Sequence, residues 1–373
     1  MRHCDLFCGI GGFRLGVQQA CEEMGESYEC NFSSDIAKVS REVYKDNFGE
    51  YPSGDITQIS EHDIPDHDIL SGGFPCQAFS CAGKRLGFDD PRGNLIYHIL
   101  RIAQEKKPRV LFLENVVGIL HHNGGETFKE ILKAIADVGY WVKVQTLNSL
   151  FYGVPQHRRR VFFICFREKD DWKRFAWPSP MSREFGHVGD ILAPETVTYN
   201  CYISKSAAKK ALINFRECHI IDETSFSGTL SVQGNTCGFM FDESVTVDEL
   251  QAHGRPVCQI RTFTGREQAR LQGFPDSFIL PKSKSPKAVS HCFGNSVTVT
   301  IIKAVAKNII HALKGDELSY YDPAEQRAPF IVRPLKSETE ARRQYWIKKL
   351  GLKDEKLSID REFEYPLLRM KFY

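Results

Sequence analysis

The sequence lacks several features that mark whole classes of protein. None of its 12 cysteines lies in a Cys-x-x-Cys pair, the spacing typical of zinc sites and redox pairs. No apolar run reaches membrane-spanning length, and the opening residues MRHCD lack the apolar core of a signal peptide. We therefore expect a cytoplasmic protein with reduced thiols, no bound metal and no membrane partner.

The chain also has little net charge. Its 49 Lys and Arg against 47 Asp and Glu give +2, which argues neither for nor against a polyanionic partner. By segment, the net charge is −6 over 1–150, +4 over 151–185, −4 over 186–260 and +7 over 261–315. Two basic segments thus flank an acidic one, which is compatible with a basic cleft and equally with two solvated faces.

The amino-acid composition is typical of a globular protein. Hydrophobic residues make up 42% and charged residues 26% of the 373, so a main domain with a smaller second one is expected. Repeated strand-then-helix units in the first half predict an α/β fold with a doubly wound, mostly parallel sheet. The predicted strands are 4–7, 28–33, 69–70, 110–114, 141–147 and 160–166, and the predicted helices are 13–24, 128–138, 266–272 and 296–313.

The regular pattern is interrupted once and then ends. Between about 181 and 260 the periodicity weakens to short strands and loops, which indicates a separate small domain. Order returns over 261–314. In the extension 315–373, a capping box at Ser337–Glu340 predicts one amphipathic helix ending near Gly351, packed on the body of the protein.

The segment DLFCGIGG (5–12) follows a predicted strand and opens a helix, where adenosine-containing cofactors bind in doubly wound sheets. Arg14 stands where the third glycine of a dinucleotide fingerprint would be, which disfavours a pyrophosphate cradle. Asp35, after the second strand, is a candidate for ribose hydroxyls, and Asp55 for an adenine amine. Each is equally well interpreted as a loop-capping aspartate.

Cys76 stands out among the cysteines. The segment SGGFPCQAFS (71–80) places its thiol between glycines and a proline on a constrained loop at a strand end, rather than in a core. Since a free thiol has an ordinary pKa near 8.5, a nucleophilic role would need nearby positive charge from elsewhere in the chain.

Three charged residues lie at the ends of two later predicted strands, and two of them are positive. Glu114 ends an apolar strand, where a carboxyl group can be partly desolvated and so protonated. Arg158 and Arg160 begin another strand, whose alternation directs both to one face. Alone, this cluster would be a solvated or phosphate-facing patch; beside a cysteine and a glutamate it suits an anionic or carbonyl-bearing substrate.

These segments, in this order, resemble the cytosine-5 DNA methyltransferases. The resemblance covers 1–314 and is carried by the blocks DLFCGIGG (5–12), FPCQ (74–77), ENV (114–116), QHRRR (156–160), REQARLQGFP (266–275) and GNSV (294–297). It implies a catalytic and cofactor-binding domain over 1–180, a mainly β target-recognition domain over 181–260 and a return segment over 261–314. The extension 315–373 lies outside the pattern.

The resemblance also implies residue roles. Cys76 would attack cytosine carbon 6, Glu114 would bind ring nitrogen 3 and the exocyclic amine, Arg160 would bind the carbonyl oxygen, and Arg158 would support the cysteine loop. The residues implied for binding S-adenosyl-L-methionine are Phe7, Gly9, Gly11, Asp35, Ile36, Asp55, Ile56, Pro75, Leu95, Asn295 and Val297. Those implied for binding DNA are Ser80, Lys84, Arg85, Arg92, Thr229, Gln233 and Asn235.

The expected partner is double-stranded DNA, bound by a monomer, with a cognate restriction endonuclease as a genetic rather than physical partner. Two other interpretations stay open at this point. One is the related subfamily that methylates transfer RNA, although its Cys-Phe-Thr tripeptide is absent and the nearest string is RTFT (261–264). The other is a catalytically inactive DNA-binding relative, which the joint presence of Cys76, Glu114, Arg158 and Arg160 disfavours.

Overall fold

The structure is a computed structural model that describes residues 1–74, 95–180, 186–214, 220–231, 239–253, 257–281, 286–316, 330–331, 345–346, 348–350 and 370–371. Its large sheet is formed by β1 (Arg2–Leu6), β2 (Glu29–Ser34), β3 (Ile69–Gly73), β4 (Val110–Val116), β5 (Trp141–Asn148) and β6 (Arg159–Phe166). The helices are α1 (Gly12–Glu23), α2 (Lys38–Phe48), α3 (Leu95–Lys106), α4 (Glu126–Asp137), α5 (Lys169–Arg174), α6 (Lys205–Asn214), α7 (Val247–Ala252), α8 (Gly265–Leu271), α9 (Pro286–Asn295) and α10 (Val299–Lys314).

The large sheet has the strand order β2-β1-β3-β4-β6-β5. Strands β2, β1, β3 and β4 pair in parallel, whereas β6 is antiparallel to both β4 and β5. The sheet is thus mixed but mostly parallel, as expected, because only β6 runs against the other five strands. The connection from β5 to β6, residues 149–158, is too short for the crossover that a parallel pairing needs.

Alternation along the strands gives this sheet two cores, one on each face. In β4, Val110 and Phe112 pack with α1 and α10, while Leu111 and Leu113 pack with α3 and α4. The run VLFL is thus apolar throughout because helices cover both faces, as in a doubly wound fold. All four side chains are fully buried.

Helix α10 closes one face of the sheet by packing on α1. At Gly16 of α1, an added Cβ would lie 2.6 Å from Cβ of Ile302, so the close approach of the two helices requires glycine there. Contrary to the expectation from the sequence, one helical stretch among the described residues, Ala288–Lys314, is long and apolar enough to cross a membrane by length and composition, but 67% of its most apolar window is buried within the protein. Its apolar side chains are accounted for by this packing.

A second, smaller sheet lies in the later part of the chain. It consists of β7 (Tyr202–Ser204), β8 (Ile220–Ile221), β9 (Phe239–Phe241) and β10 (Val257–Arg261) in the order β7-β10-β9-β8. Except for Arg261 at its end, this sheet lies within the segment predicted to be a separate domain.

The extension is described in part. Two short strands, β11 (Phe330–Ile331) and β12 (Met370–Lys371), pair with each other, and residues 345–346 and 348–349 are helical. The latter fall within the predicted tail helix, whose capping box at Ser337–Glu340 lies outside the described residues. Trp346 and Leu350 pack on the small sheet.

Candidate active site

The carboxyl ends of β1, β3 and β4 lie at one edge of the large sheet because these strands are parallel. Since β6 runs the opposite way, its first residues reach the same edge, where Arg160 pairs with Val116 at the end of β4. The edge where such sheets bind ligands is thus built from four strand ends and includes the arginines that begin β6.

Glu114 and Arg160 meet directly at this edge. The Glu114 Oε1 and Arg160 Nε atoms are 2.9 Å apart, and both side chains are mostly buried. The pair forms because Glu114 lies opposite Phe162 in the register, two residues from Arg160, so both side chains point to the same face. The sequence placed these residues on one edge; only the antiparallel pairing shows that they form an ion pair, rather than a lone carboxyl in an apolar crevice.

Gly73, opposite Glu114 in β3, makes room for this pair. A Cβ at Gly73 would lie 3.2 Å from the Glu114 Oε2 atom, tighter than ordinary van der Waals contact. From the sequence, Gly73 was expected only to be one of the glycines of the constrained loop before Cys76. The role of Gly73 depends on its pairing with Glu114 across two strands, and a sequence alone does not show which residues of two strands pair.

Asn115 was also missed as a functional residue. Its buried Nδ2 donates to the Phe74 carbonyl at 3.0 Å, and its Oδ1 accepts from the Val116 N–H at 2.8 Å. Phe74 directly precedes Pro75 and Cys76 in the sequence. Asn115 therefore fixes the chain at the point where it enters the segment carrying the predicted nucleophile.

Arg158 is buried with 2% of its surface exposed and has no carboxylate partner among the described residues. Its guanidinium donates to the carbonyls of Leu230 at 2.8 Å, Gly294 at 3.0 Å and Ser296 at 2.7 Å. Burial, and then the charge of nearby Arg160, lower its pKa to about 9. Arg158 thus joins the large sheet to the segment after β8 and to the return segment.

The segment Thr229–Leu230 docks at the same place. The Thr229 hydroxyl donates to the His157 carbonyl at 2.8 Å, and the Leu230 N–H donates to Oε1 of buried Gln156 at 2.9 Å. Thr229, predicted to contact DNA, therefore lies beside the arginines that begin β6. The role of Gln156 was not anticipated, although it begins the QHRRR block.

The loop after β1 has a left-handed backbone conformation at three positions, two of which are glycines. Phe7, Gly9 and Gly11 all have positive φ, at 53°, 54° and 88°, and the loop then turns into α1. No atom lies within 4 Å of a Cβ built at Gly9, whereas one at Gly11 would overlap the Phe48 ring. The turn is thus open on the side of Gly9, where a ligand can approach the backbone closely.

The two candidate aspartates both cap loops. Asp35 accepts from the Ala37 N–H at 2.7 Å and the Gly9 N–H at 2.8 Å, and Asp55 accepts from the Thr57 N–H at 2.9 Å. Burial raises the pKa of Asp35. The capping interpretation is observed, and since each carboxylate retains free lone pairs, ligand binding by either stays a prediction.

Ile36, next to Asp35, is 78% exposed, an apolar surface beside the open glycine loop. On another side, the return segment contacts the loop so tightly that a Cβ at Gly12 would lie 2.7 Å from the Ser296 Oγ atom and 2.9 Å from Cγ2 of Val297. An exposed apolar side chain, a carboxylate and a bare backbone turn fit an adenosyl group with ribose hydroxyls.

The remaining predicted cofactor residues differ in position. Leu95 is half-buried at the start of α3, and Asn295 is exposed with its Nδ2 atom 3.3 Å from Nε2 of His291. The Ile56 side chain is buried in the core beside α3. The other predicted site residues lie outside the described residues: Pro75, Cys76, Ser80, Lys84, Arg85, Arg92, Gln233 and Asn235.

Several basic side chains of the return segment form ion pairs within the protein. Lys303 and Lys307 pair with Glu23 of α1, and Lys314 pairs with Glu26. Arg270 pairs with Asp276. The charge of these four cations is therefore balanced by carboxylates of the protein itself.

Three comparisons with known proteins bear on this site. Residues 1–311 match the family model of the C-5 cytosine-specific DNA methylases. Type II methyltransferase M1.ScrFI of Lactococcus lactis subsp. cremoris is 41% identical over 83% of this chain and 78% of its own, and type II methyltransferase M.HhaI of Haemophilus parahaemolyticus is 36% identical over 83% and 94%.

Solved structures agree on the fold. The Dnmt2 methyltransferase of S. pombe superposes with a TM-score of 0.68 at 22% identity, covering 84% of this chain and 99% of that one. A putative DNA modification methyltransferase encoded within an E. coli prophage gives 0.60 at 20% identity, covering 84% of this chain and 99% of that one. With the family model matching most of the sequence, the chain belongs to the C-5 cytosine-specific DNA methylases and is a DNA cytosine-5 methyltransferase.

Proposed function

We propose that this enzyme methylates carbon 5 of a flipped-out cytosine within a specific duplex sequence, using S-adenosyl-L-methionine, and that it is the modification enzyme of a restriction-modification system. The observation that carries the proposal is the Glu114–Arg160 pair, 2.9 Å apart at the ligand-binding edge of the sheet. Relatives named type II methyltransferases support the biological role.

The pair suits the cytosine ring in chemistry and spacing. Ring nitrogen 3 and the carbonyl oxygen are on neighbouring positions of the base, so the protein groups that bind them must also be neighbours. Glu114 would bind nitrogen 3 and the exocyclic amine, and Arg160 the carbonyl oxygen. Both contacts would stabilise the charge that moves into the ring as a nucleophile adds.

Cys76 would be that nucleophile, since carbon 5 of cytosine is too weak a nucleophile by itself. Addition of its thiolate to carbon 6 makes carbon 5 electron-rich. S-adenosyl-L-methionine would supply the methyl group from its sulfonium, whose bond between sulfur and methyl carbon would break as carbon 5 accepts the methyl group. The carbon 5 proton would then pass to a general base, the electrons of that C–H bond would re-form the double bond between carbons 5 and 6, and Cys76 would leave carbon 6 as the thiolate.

The chain would hold the cofactor beside this ring. The open backbone at Gly9 and the exposed side chain of Ile36 would receive the adenosyl group, and Asp35 would accept from ribose hydroxyls. Val297 would close the wall from the return segment. The open space beside Gly9, where no atom lies within 4 Å of an added Cβ, supports these roles.

Because carbon 6 is inaccessible in a stacked duplex, the cytosine must be flipped out at a cost of about a few kcal/mol. Lys84, Arg85 and Arg92, on the segment after Cys76, would contact phosphates, and Ser80, Thr229, Gln233 and Asn235 would add DNA contacts. We propose one monomer per site, since one copy carries every group named here.

The test is methyl transfer by Cys76→Ala with labelled S-adenosyl-L-methionine and either duplex DNA or transfer RNA. We expect the wild type to label DNA, and Cys76→Ala to lose both methylation and the covalent complex with 5-fluorocytosine DNA while still binding the cofactor. The matched control is Cys201→Ala, a half-buried free thiol away from the site, which should retain activity.

Either of two outcomes would overturn the proposal. Methylation by Cys76→Ala would show that another group is the nucleophile. Label in transfer RNA alone would show that the substrate is wrong. Bisulfite sequencing of a plasmid from cells expressing the wild type would identify the recognition sequence.

A further inference from the structure

The largest fully buried side chain among the described residues belongs to the extension. Trp346 is 1% exposed, yet it lies beyond residue 311, where the match to the family ends. Such burial of a tryptophan fixes the segment that carries it, because the ring contributes a large apolar surface to whatever it contacts. The contacts of Trp346 therefore show what this part of the extension does.

Trp346 completes a hydrophobic core on one face of the small sheet. Its ring centroid lies 5.0 Å from that of Phe241 in β9, and Leu350 packs beside it. The other buried members come from the insert, namely Ala208, Ile220, Phe239, Cys258 and Ile260. This cluster is distinct from the two that flank the large sheet.

The small sheet needs this cover. Strands β8 and β9 contain two and three residues, and a sheet of such short strands is stable only when a further layer packs on it. The opposite face contributes Ile221 and Met240 to a cluster shared with the return segment. The extension thus supplies the cover of the second face together with Ala208 of α6.

A polar contact fixes the extension to the same strand. Lys349 Nζ lies 2.6 Å from Oε1 of Glu243, just after β9, and 4.3 Å from the centroid of the Phe241 ring. Lys349 thus contacts two residues, Phe241 and Glu243, that are two positions apart in the chain. The extension is therefore attached to β9 by both apolar and charged groups.

β9 begins at Phe239, directly after the segment 232–238, which contains Gln233 and Asn235, two of the residues that the resemblance implies for binding DNA. On the other side of that segment, Leu230 is held by Gln156 and Arg158 of the large sheet. One flank of the segment is thus anchored to the catalytic edge and the other to the core that contains Trp346.

We propose that the extension is a functional part of target recognition and that Trp346 is a positioning residue, which holds β9 and thereby sets the geometry with which the insert contacts the recognition sequence. The inference rests on the proposed function. Trp346 would not touch DNA or cofactor, so its loss should change the use of DNA far more than cofactor binding.

The experiment uses the full-length enzyme and duplexes that contain the recognition site or a variant with one base pair changed. In Trp346→Ala, we expect the KM for site DNA to rise by about tenfold to a hundredfold, as misplacement remote from the chemistry can cause. Discrimination against the changed site should fall, while the Kd for S-adenosyl-L-methionine stays within about twofold, since the cofactor contacts are unchanged. Trp346→Phe should restore part of both properties.

The matched control is Lys348→Ala, an exposed residue of the same helical segment, which should behave as the wild type. Unchanged KM and discrimination in Trp346→Ala would overturn the inference, as would an equal loss of cofactor affinity, which would indicate general unfolding. If Trp346→Ala does not fold, Trp346→Phe and Leu350→Ala provide the same readouts. A wild type that fails to methylate DNA would instead defeat the proposed function.

Discussion

The large sheet and the junction between the small sheet and α8 bury ionisable side chains in opposite ways. In the large sheet, Asp5 and His3 of β1 are fully buried and joined only through neutral groups: Ser71 donates to Asp5 at 2.7 Å and lies 2.7 Å from His3. At the junction, Arg261 of β10 meets Glu267 of α8 through two contacts of 2.8 and 2.9 Å, and Asp242 at 3.0 Å.

The pKa values follow this difference. Burial raises the pKa of Asp5 to about 7 and lowers that of His3 to about 3, so each favours its neutral form. Burial also tends to lower the pKa of Arg261, but the hydrogen bonds and charge of Glu267 outweigh it, and the pKa is raised. A buried group without a counter-charge moves towards neutrality, whereas a paired one stays charged.

The largest expected effect comes from breaking the paired cluster. Glu267→Gln should destabilise the protein by about 3–5 kcal/mol, because it leaves the charge of Arg261 buried without its main partner. The backbone N–H groups of Thr264 and Ala193, which donate to the same carboxylate, would be affected as well.

Urea unfolding monitored by fluorescence measures this loss, with the exposed Glu195→Gln as control. A loss for Glu267→Gln below about 1 kcal/mol, the range of exposed pairs, would show that the buried pair is no stronger than a surface one.

An intermediate effect should appear in the pH dependence of the unpaired groups. For Asp5 the folded pKa lies above its ordinary 3.8, so its stabilisation is present below that value and lost as pH rises through about 7. For His3 the folded pKa lies below its ordinary 6.5, so its stabilisation is present above that value and lost as pH falls towards about 3. Between these ordinary values the two slopes oppose each other.

When one of the two groups is removed, the dependence of the free energy of unfolding on pH should show the contribution of the other. Relative to wild type, the free energy of unfolding of Asp5→Asn should rise with pH by up to about 1.4 kcal/mol per unit between pH 4 and 6.5, and that of His3→Gln should fall by as much. Urea unfolding at several pH values in this window measures both. Parallel curves for the three proteins would contradict the assigned titrations.

The smallest effect is expected at the exposed ion pairs between α1 and α10. Glu23 contacts Lys303 at 2.7 Å and Lys307 at 3.1 Å, but these side chains are 27–44% exposed. Glu23→Gln should cost less than about 1 kcal/mol, and less still at high salt. The same unfolding assay at two ionic strengths measures this loss of stability, with Glu42→Gln of α2 as control. A salt-independent loss of several kcal/mol would contradict the distinction between exposed and buried pairs.

Local pattern was sufficient for much of the large sheet. The predicted strand 110–114 lies within β4 (Val110–Val116), and the predicted helix 128–138 largely coincides with α4 (Glu126–Asp137). The glycine loop and Glu114 could be placed at a strand end because residues adjacent in sequence determine both. The predicted strands 141–147 and 160–166 are neighbours, as expected. The antiparallel direction of β6 was not predicted, because the length of its connection, more than its composition, decides the pairing.

By itself, the sequence determined the strand-and-helix order of the first half, the motif blocks and hence the family, since these are properties of neighbouring residues. Only the tertiary structure decided that Glu114 pairs with Arg160, that Arg158 binds carbonyls 72 to 138 residues away, and that Trp346 completes the core of the small sheet. Those contacts join segments distant in the chain. Burial is what makes them necessary, because a polar group removed from water needs a partner wherever the fold provides one, and an exposed apolar face needs a cover.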